Sequence, residues 1–444
     1  MTQVKVSIPK AHFNAVSYTF KCLFNEFLGI DIEVSSSESQ ENFLLEFGTK
    51  SLEIENIFFR TKDPDNLYRK ENIPAFVDKG EIKIADKNLP VLSLYGKSSI
   101  TIQSENFIRL HADIVGSTFF MLSRWEEAVV KDRDVHGRFD YRSAASVKLG
   151  FYQRPIVNEY VELLWELCRF FQPELKRVKR QYELTVTSDI DELRKWKSPK
   201  KLLESIYLHI TRGKSSRIFR DIANYLGSVN QPKNDFYNNL NYLVQNTKGI
   251  DTIFYLKTRS SHPKHDKNTY KLKDYASELQ NAISQDIKIG IHPKYDSYLN
   301  CQSLKDDVES LQSFLGSPVK LVRQHYLRFS VPETWRFQVE ANLKEDSTMI
   351  FPHKAGFRNG VCYRFPVFDF KADQQLDIYE SPLLLMETSY LNSGFDELLN
   401  DAKSIVQSVK QYNGNFVLLW HNGNLVYRED RHYFEKLLNI ASDS

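Results

Sequence analysis

Four short apolar runs in the second half of this 444-residue chain each end on ionisable side chains. ELTVT leads into Ser188-Asp189-Ile190-Asp191, and IKIGI into His292-Pro293-Lys294-Tyr295-Asp296. VKLV leads into Arg323-Gln324-His325, and NFVLLW into His421-Asn422. A carboxylate pair with a histidine suits a divalent cation of the zinc class, because carboxylate oxygen and imidazole nitrogen are its ordinary ligands. A second carboxylate near such an ion can take a proton from water, and a separate histidine can return one to a leaving group. Together these are the parts of metal-assisted hydrolysis. The sequence has no glycine-rich phosphate loop after ELTVT and no G-x-S-x-G elbow, so nucleotide phosphate binding and serine-hydrolase chemistry are unsupported.

Groups so distant in sequence meet only if the intervening elements bring them together. From Tyr182 onward, strand-like and helical segments alternate. YELTVTSD, DTIFYL, IKIGIH, VKLVRQH, Ser347–Phe351, Pro382–Met386 and NFVLLWH read as strands. Helices are expected near Asp235–Asn246, Tyr275–Ser284, Ser303–Leu315, Pro332–Glu340 and Phe395–Tyr412. This alternation predicts an α/β class with mostly parallel pairing, as a β/α barrel or an open sheet. In a barrel the C-terminal strand ends aim their side chains at one place. Asp189, Asp191, His292, Arg323 and His421 are therefore expected to share one cleft.

Residues 1–178 read as a separate α+β unit. Val4–Ile8, Phe43–Phe47, Leu52–Phe58 and Glu81–Ile84 alternate like strands. Gly116–Val130 has a helical period with Ser117 as its expected cap. Ile156–Phe171 begins after Pro155 and puts Ile156, Tyr160, Leu164, Leu167 and Phe171 on one face.

Lysine plus arginine total 59 against 57 acidic residues, a net charge of +2. This balance exerts no global pull toward nucleic acid or anionic membranes. The basic stretches ELKRVKRQYE and RKWKSPKK read as solvated linker, since no aromatic stacking pattern accompanies them. The 41% hydrophobic and 26% charged shares are those of a globular chain and exclude wholesale disorder. The four cysteines lie far apart and read as free thiols. The N-terminus lacks the apolar core of a signal peptide, and no apolar run approaches the ~20 residues that span a bilayer. A cytoplasmic compartment and no membrane span are the expectations. SHPKHDK supplies His262, His265 and Asp266, a metal-like set that a lysine-rich loop is expected to leave solvated.

The order of these motifs resembles the polysaccharide deacetylases (carbohydrate esterase family 4, the NodB-homology fold), in a bacterial branch with an extra N-terminal domain. Thr187-Ser188-Asp189-Ile190-Asp191 resembles the opening motif, HPKYDSY the histidine motif, RQHYLRF the arginine motif and Leu418-Leu419-Trp420-His421 the final one. DIVGSTFFMLSRWEE, HGRF and GFYQRPIVNEYVELLW carry further likeness. The resemblance implies a distorted (β/α) barrel of about seven strands over residues 179–444. It implies hydrolysis of an N-acetyl group on a sugar or glycan, in surface-polysaccharide biosynthesis, with a divalent metal ion, zinc foremost. It makes Asp189 the general base, oriented by Arg323, and His421 the general acid. Asp191 and His292 become metal ligands, and Trp335 and His325 line the substrate cleft. Two departures stand out. Ser188 replaces a histidine common in the branch. Asp296 stands where the wider family has its second histidine, four residues after His292. A helical turn there would put both on one face to grip one ion, so Asp296 is the expected third ligand. The same departures leave open a catalytically weakened carbohydrate-binding or scaffold protein on this barrel.

Overall fold

Alternating burial builds the first sheet. In β1 (Val4–Pro9), Val4, Val6 and Ile8 are buried while Lys5 and Ser7 face away. With β2 (Ile32–Ser37), β3 (Phe43–Phe47), β4 (Lys50–Ile54), β7 (Gly96–Ser104) and β8 (Phe107–Ala112) it forms a six-stranded sheet, ordered β2-β1-β3-β4-β8-β7. β5 (Asp78–Ile84) and β6 (Lys87–Ser93) make a separate hairpin. The computed structural model describes residues 4–38, 40–60, 66–258 and 270–442. His262, His265 and Asp266 lie outside the described residues.

The helix expected over Gly116–Val130 starts earlier and breaks midway. Asp113, not Ser117, caps it. The Asp113 carboxylate accepts the Gly116 N–H at 2.7 Å and the Ile57 and Phe58 N–H groups at 2.8 Å each. Ser117 Oγ instead donates to the Asp113 carbonyl. Helix Ile114–Ser123 is buried on every side and stops at Arg124, whose φ is 52°. A short helix, Glu126–Val129, follows. The break puts the buried Arg124 guanidinium on Glu126 at 2.5 Å and on Glu127 at 2.9 Å. Arg358, from the second half of the chain, holds Glu127 at 2.5 and 2.9 Å. One buried carboxylate thus ties the two halves together, and a single apolar core runs through both.

The second sheet has nine strands rather than the expected seven. They are β9 (Glu183–Ile190), β10 (Asp251–Leu256), β11 (Lys288–Ile291), β12 (Leu321–Val322), β13 (Glu345–Asp346), β14 (Phe365–Asp369), β15 (Gln374–Glu380), β16 (Leu383–Met386) and β17 (Asn415–Leu419). The order is β14-β15-β13-β12-β11-β10-β9-β17-β16, and the sheet curls into a half-barrel. All neighbours pair parallel except β14 with β15. That antiparallel hairpin was not legible because FDFKADQQ interrupts its alternation. The strand expected at Ser347–Phe351 pairs two residues earlier, at Glu345–Asp346. Ser347 and Thr348 instead serve the neighbouring segment, where the Ser347 carbonyl accepts from Arg323 and Thr348 Oγ1 accepts the Gln324 N–H. The RKWKSPKK stretch read as solvated linker is not one: Trp196 is buried, Lys195 binds Asp221, and helix Pro199–Thr211 begins inside the stretch, followed by helix Ser216–Asn230. Cys22, Cys168, Cys301 and Cys362 are free thiols. Among the described residues no helix is long and apolar enough to cross a membrane.

Glu127→Ala would leave two buried guanidinium groups without their shared carboxylate. Removing one partner of a buried ion pair costs about 3–5 kcal/mol, so the urea midpoint should fall sharply. Glu166→Ala, at an ion pair nearer the surface, should cost about 1 kcal/mol or less.

Candidate active site

Register sets the site. Ile190 pairs with Leu256, Leu256 with Ile291, and Ile291 with Val322. The residues just beyond therefore line up along one edge. A cleft of ≈ 510 Å³ opens there, lined by Asp189, Asp191, His292, His325 and His421. Cavities of this size hold small-molecule ligands. Arg323 lies beneath the cleft, fully buried.

Arg323 spends its guanidinium fork on two elements, β9 and the segment after β13. Nη1 donates to Thr187 Oγ1 at 2.6 Å and to Asp189 Oδ1 at 3.1 Å. Nε donates to the Ser347 carbonyl at 2.7 Å and Nη2 to Ser347 Oγ at 2.9 Å. The Arg323 carbonyl receives His292 Nδ1–H at 2.7 Å, which fixes the tautomer and leaves the lone pair on His292 Nε2. That nitrogen lies 3.4 Å from Asp191 Oδ1 and 3.7 Å from Asp189 Oδ2. His325 Nε2 also lies 3.4 Å from Asp191 Oδ1.

Asp191, His292 and His325 each offer one ligand atom, all within 4.8 Å of one another. Asp191 Oδ1 is buried and has no hydrogen-bond partner. Burial pushes the Asp191 carboxyl up, but the neighbouring His292 and His325 imidazoles hold it well below the usual range. Burial pushes His325 down to about 4 against the pull of Asp191, so its imidazole is neutral. One carboxylate oxygen and two imidazole nitrogens are a donor set for a zinc-class ion. One neighbour opposes this: Lys257 Nζ stands 3.4 Å from His325 Nε2.

On the far side, His421 Nε2 is 3.9 Å from both Asp189 Oδ2 and Asp191 Oδ2. Its Nδ1 faces Glu387 Oε1 at 2.8 Å, and the same oxygen accepts the His421 N–H at 3.0 Å and Asn424 Nδ2–H at 2.7 Å. Burial depresses the imidazolium, but Glu387 foremost, with Asp189 and Asp191, pushes it up to about 10.

The structure brings Asp189, Asp191, His292, Arg323, His325 and His421 together and leaves two expected residues out. Asp296 is exposed and pairs with Arg328 Nη1 at 2.9 Å. After Pro293 the chain turns rather than continuing as a helix, so the i, i+4 geometry does not form. Arg328, stacked on Tyr295 and Tyr298, holds Asp296 at the rim. Trp335 is fully buried beside Phe329, with its Nε1 directed at Glu380, and does not line the cleft. Ser188 Oγ donates to the Trp420 carbonyl beneath the cleft.

Two strand-end residues of the site went unread. Lys257 follows β10 and Glu387 follows β16, so the strand-end rule that found the others covers both. His325 was placed on the substrate, yet it lies two residues after Arg323, the spacing that keeps side chains on one face of a strand. The N-terminal unit adds His136 and Arg138 to the cleft wall. His136 Nδ1 meets Tyr295 OH at 3.1 Å, and Arg138 donates to the Tyr326 carbonyl at 3.0 Å.

Residues 4–173 match the model of a family of unknown function (DUF7033). A search of curated proteins finds no match. Among solved structures, the chain is similar to a candidate polysaccharide deacetylase from Mycobacterium smegmatis, at 13% identity and a TM-score of 0.37, over 60% of this chain and 87% of that one. It is also similar to a CE4 family pseudoenzyme from Bacillus anthracis, at 8% identity and a TM-score of 0.29, over 59% of this chain and 61% of that one. A mutant of that pseudoenzyme with restored enzymatic activity matches at 9% identity and a TM-score of 0.29, over 59% of this chain and 63% of that one. Likeness this low identifies neither substrate nor activity.

Glu387→Gln removes the foremost charge that holds the proton on His421. In chelator-treated protein, NMR titration of the His421 ring should show its pKa falling by at least about one pH unit. An unchanged titration would mean that Glu387 does not set its protonation.

Proposed function

We propose that the chain is a metal-dependent hydrolase that removes an N-acetyl group from a carbohydrate, releasing acetate and leaving an amine. The supporting observation is the Asp191–His292–His325 cluster flanked by Asp189, held by Arg323, and His421, held by Glu387. Asp191, His292 and His325 would hold the ion, with zinc suited to two imidazoles and a carboxylate. When bound, the ion supplies Lewis-acid polarisation of the amide carbonyl and acidifies water.

The remaining chemistry belongs to the chain's own groups. Arg323 occupies Asp189 Oδ1 and leaves Oδ2 toward His292 and His421. Asp189 accepts the proton of the attacking water as the water oxygen bonds to the acetyl carbon. Glu387 takes the Nδ1–H of the His421 imidazolium, so Nε2–H is free to donate. As the carbon–nitrogen bond breaks, that proton goes to the sugar nitrogen. Tyr326, His136 and Arg138 border the cleft where the glycan would lie. A role in surface-polysaccharide biosynthesis rests on the order of the sequence motifs.

A second reading, a carbohydrate-binding barrel with weakened chemistry, is favoured by Lys257. An ammonium 3.4 Å from a ligand nitrogen opposes a divalent cation by direct charge repulsion. If it merely competes, Lys257→Met should tighten zinc binding in calorimetry by at least about tenfold, since like charges at such range repel by more than 1 kcal/mol even in partly aqueous surroundings. If neither wild type nor Lys257→Met binds zinc, nickel, cobalt or manganese, the binding-protein reading stands.

Role assignments separate by paired readouts. Asp189→Asn should keep bound metal yet lose about 10²–10⁴-fold in acetate release from an N-acetylglucosamine oligomer. His325→Ala should lose metal, measured by elemental mass spectrometry, whereas Asp296→Ala should retain it. Metal loss on Asp296→Ala together with retention on His325→Ala would reverse the ligand set.

A further inference from the structure

Helices Pro199–Thr211 and Ser216–Asn230 pack on one another as a hairpin whose polarity is inverted. Its polar groups point inward. Asp221 is fully buried and accepts from Ser205 Oγ at 2.5 Å, Lys195 Nζ at 3.0 Å and Tyr427 OH at 2.8 Å. His209 Nε2 reaches the same carboxylate at 3.1 Å. Its apolar groups point outward. Leu203, Tyr207 and Ile210 are 66%, 67% and 62% exposed, and Phe219, Leu226 and Val229 are 81%, 65% and 51% exposed. The spacing i, i+4, i+7 in the first helix and i, i+7, i+10 in the second makes each set one stripe. The buried network fixes the hairpin from behind, so the stripes are a held surface. Contiguous exposed apolar surface of this kind marks an interaction site.

The charge of the segment selects the occupant. Between Arg194 and Arg220 the chain carries nine lysines and arginines, of which Lys195, Lys197, Lys201, Arg217 and Arg220 are ion-paired with Asp221, Glu192, Glu204, Glu429 and Asp430. Lys200, Arg212 and Lys214 have no carboxylate partner among the described residues. A second copy would bring like charge against like, which disfavours self-association through this face. An apolar stripe with outward aromatics, rimmed by basic residues, is the pattern of a helix lying in the interface of an anionic bilayer. Tyr207 and Phe219 would enter the boundary region while the lysines meet lipid phosphates.

We propose that the 199–230 hairpin docks the protein on an anionic membrane surface. The hairpin begins eight residues beyond Asp191, and Asn422 in the cleft wall donates to the Glu192 carbonyl at the start of the connecting loop. Docking would therefore hold the cleft close to the lipid surface. This inference is independent of the chemistry assigned to the cleft.

Flotation of the full chain with vesicles of phosphatidylcholine alone, and of phosphatidylcholine with phosphatidylglycerol, tests it. Binding should require the anionic lipid and weaken with added salt. The double variant Tyr207→Ser/Phe219→Ser alters exposed positions only, so its circular dichroism should match wild type while vesicle affinity falls at least about tenfold. Lys200→Glu/Lys214→Glu should reduce affinity at least about fivefold per charge. Absence of binding to the anionic vesicles overturns the proposal, as does undiminished binding by a folded Tyr207→Ser/Phe219→Ser variant. A wild-type dimer in sedimentation that this variant abolishes also overturns it, since the stripes would then be an interface between copies.

Discussion

The site depends on a guanidinium buried inside the half-barrel. Arg323 has no access to solvent, so each of its donors must find an acceptor within the protein. It finds them on β9, through Thr187 and Asp189, and on the segment after β13, through Ser347. Its own carbonyl receives His292. One residue thus spans the inside of the sheet, fixes the orientation of a carboxylate and sets a histidine tautomer. Lysine could not replace it, because a single ammonium lacks the planar fork that reaches two elements at once. The Tyr255 ring, 4.5 Å from the guanidinium, closes the remaining face.

From that anchor the cleft acquires two chemically distinct sides. Asp189 faces the cleft with one oxygen already committed to a cation. His421 faces it from the end of the adjacent strand β17 with a buried carboxylate behind it. Lys257 adds a third influence by placing positive charge beside His325. A cation at the cluster would meet both the Asp191 carboxylate and the Lys257 side chain.

The N-terminal unit is more than an appendage. The Glu127 carboxylate clamps it to the barrel through Arg124 and Arg358, and the loop beyond delivers His136 and Arg138 to the cleft. Arg138 and Arg328 hold the rim segment where Tyr326 and Leu327 adopt left-handed backbone conformations, with φ of 59° and 55°. Non-glycine residues in that region are strained and persist only where surroundings over-determine them. The clamp thus reaches the cleft mouth through a chain of packed contacts.

The sequence by itself determined the strand ends. An apolar run that stops at an ionisable residue is a local pattern, and parallel pairing carries such residues to one edge whatever the details of the loops. Asp189, Asp191, His292, Arg323 and His421 were legible for that reason. Helix Ile156–Phe171 was legible from its period alone. The tertiary structure decided what depends on contacts across the chain. His325 rather than Asp296 stands beside Asp191 and His292, because the turn after Pro293 and the pull of Arg328 send Asp296 to the rim. Trp335 went to the core, where its ring packs on Phe329 and its Nε1–H meets Glu380. The helices beginning within and after the RKWKSPKK stretch were invisible as an amphipathic pair, because their polar face is the buried one. That inversion is possible only when Lys195 and Tyr427, 232 positions apart, meet on Asp221, a meeting that no local pattern of residues specifies.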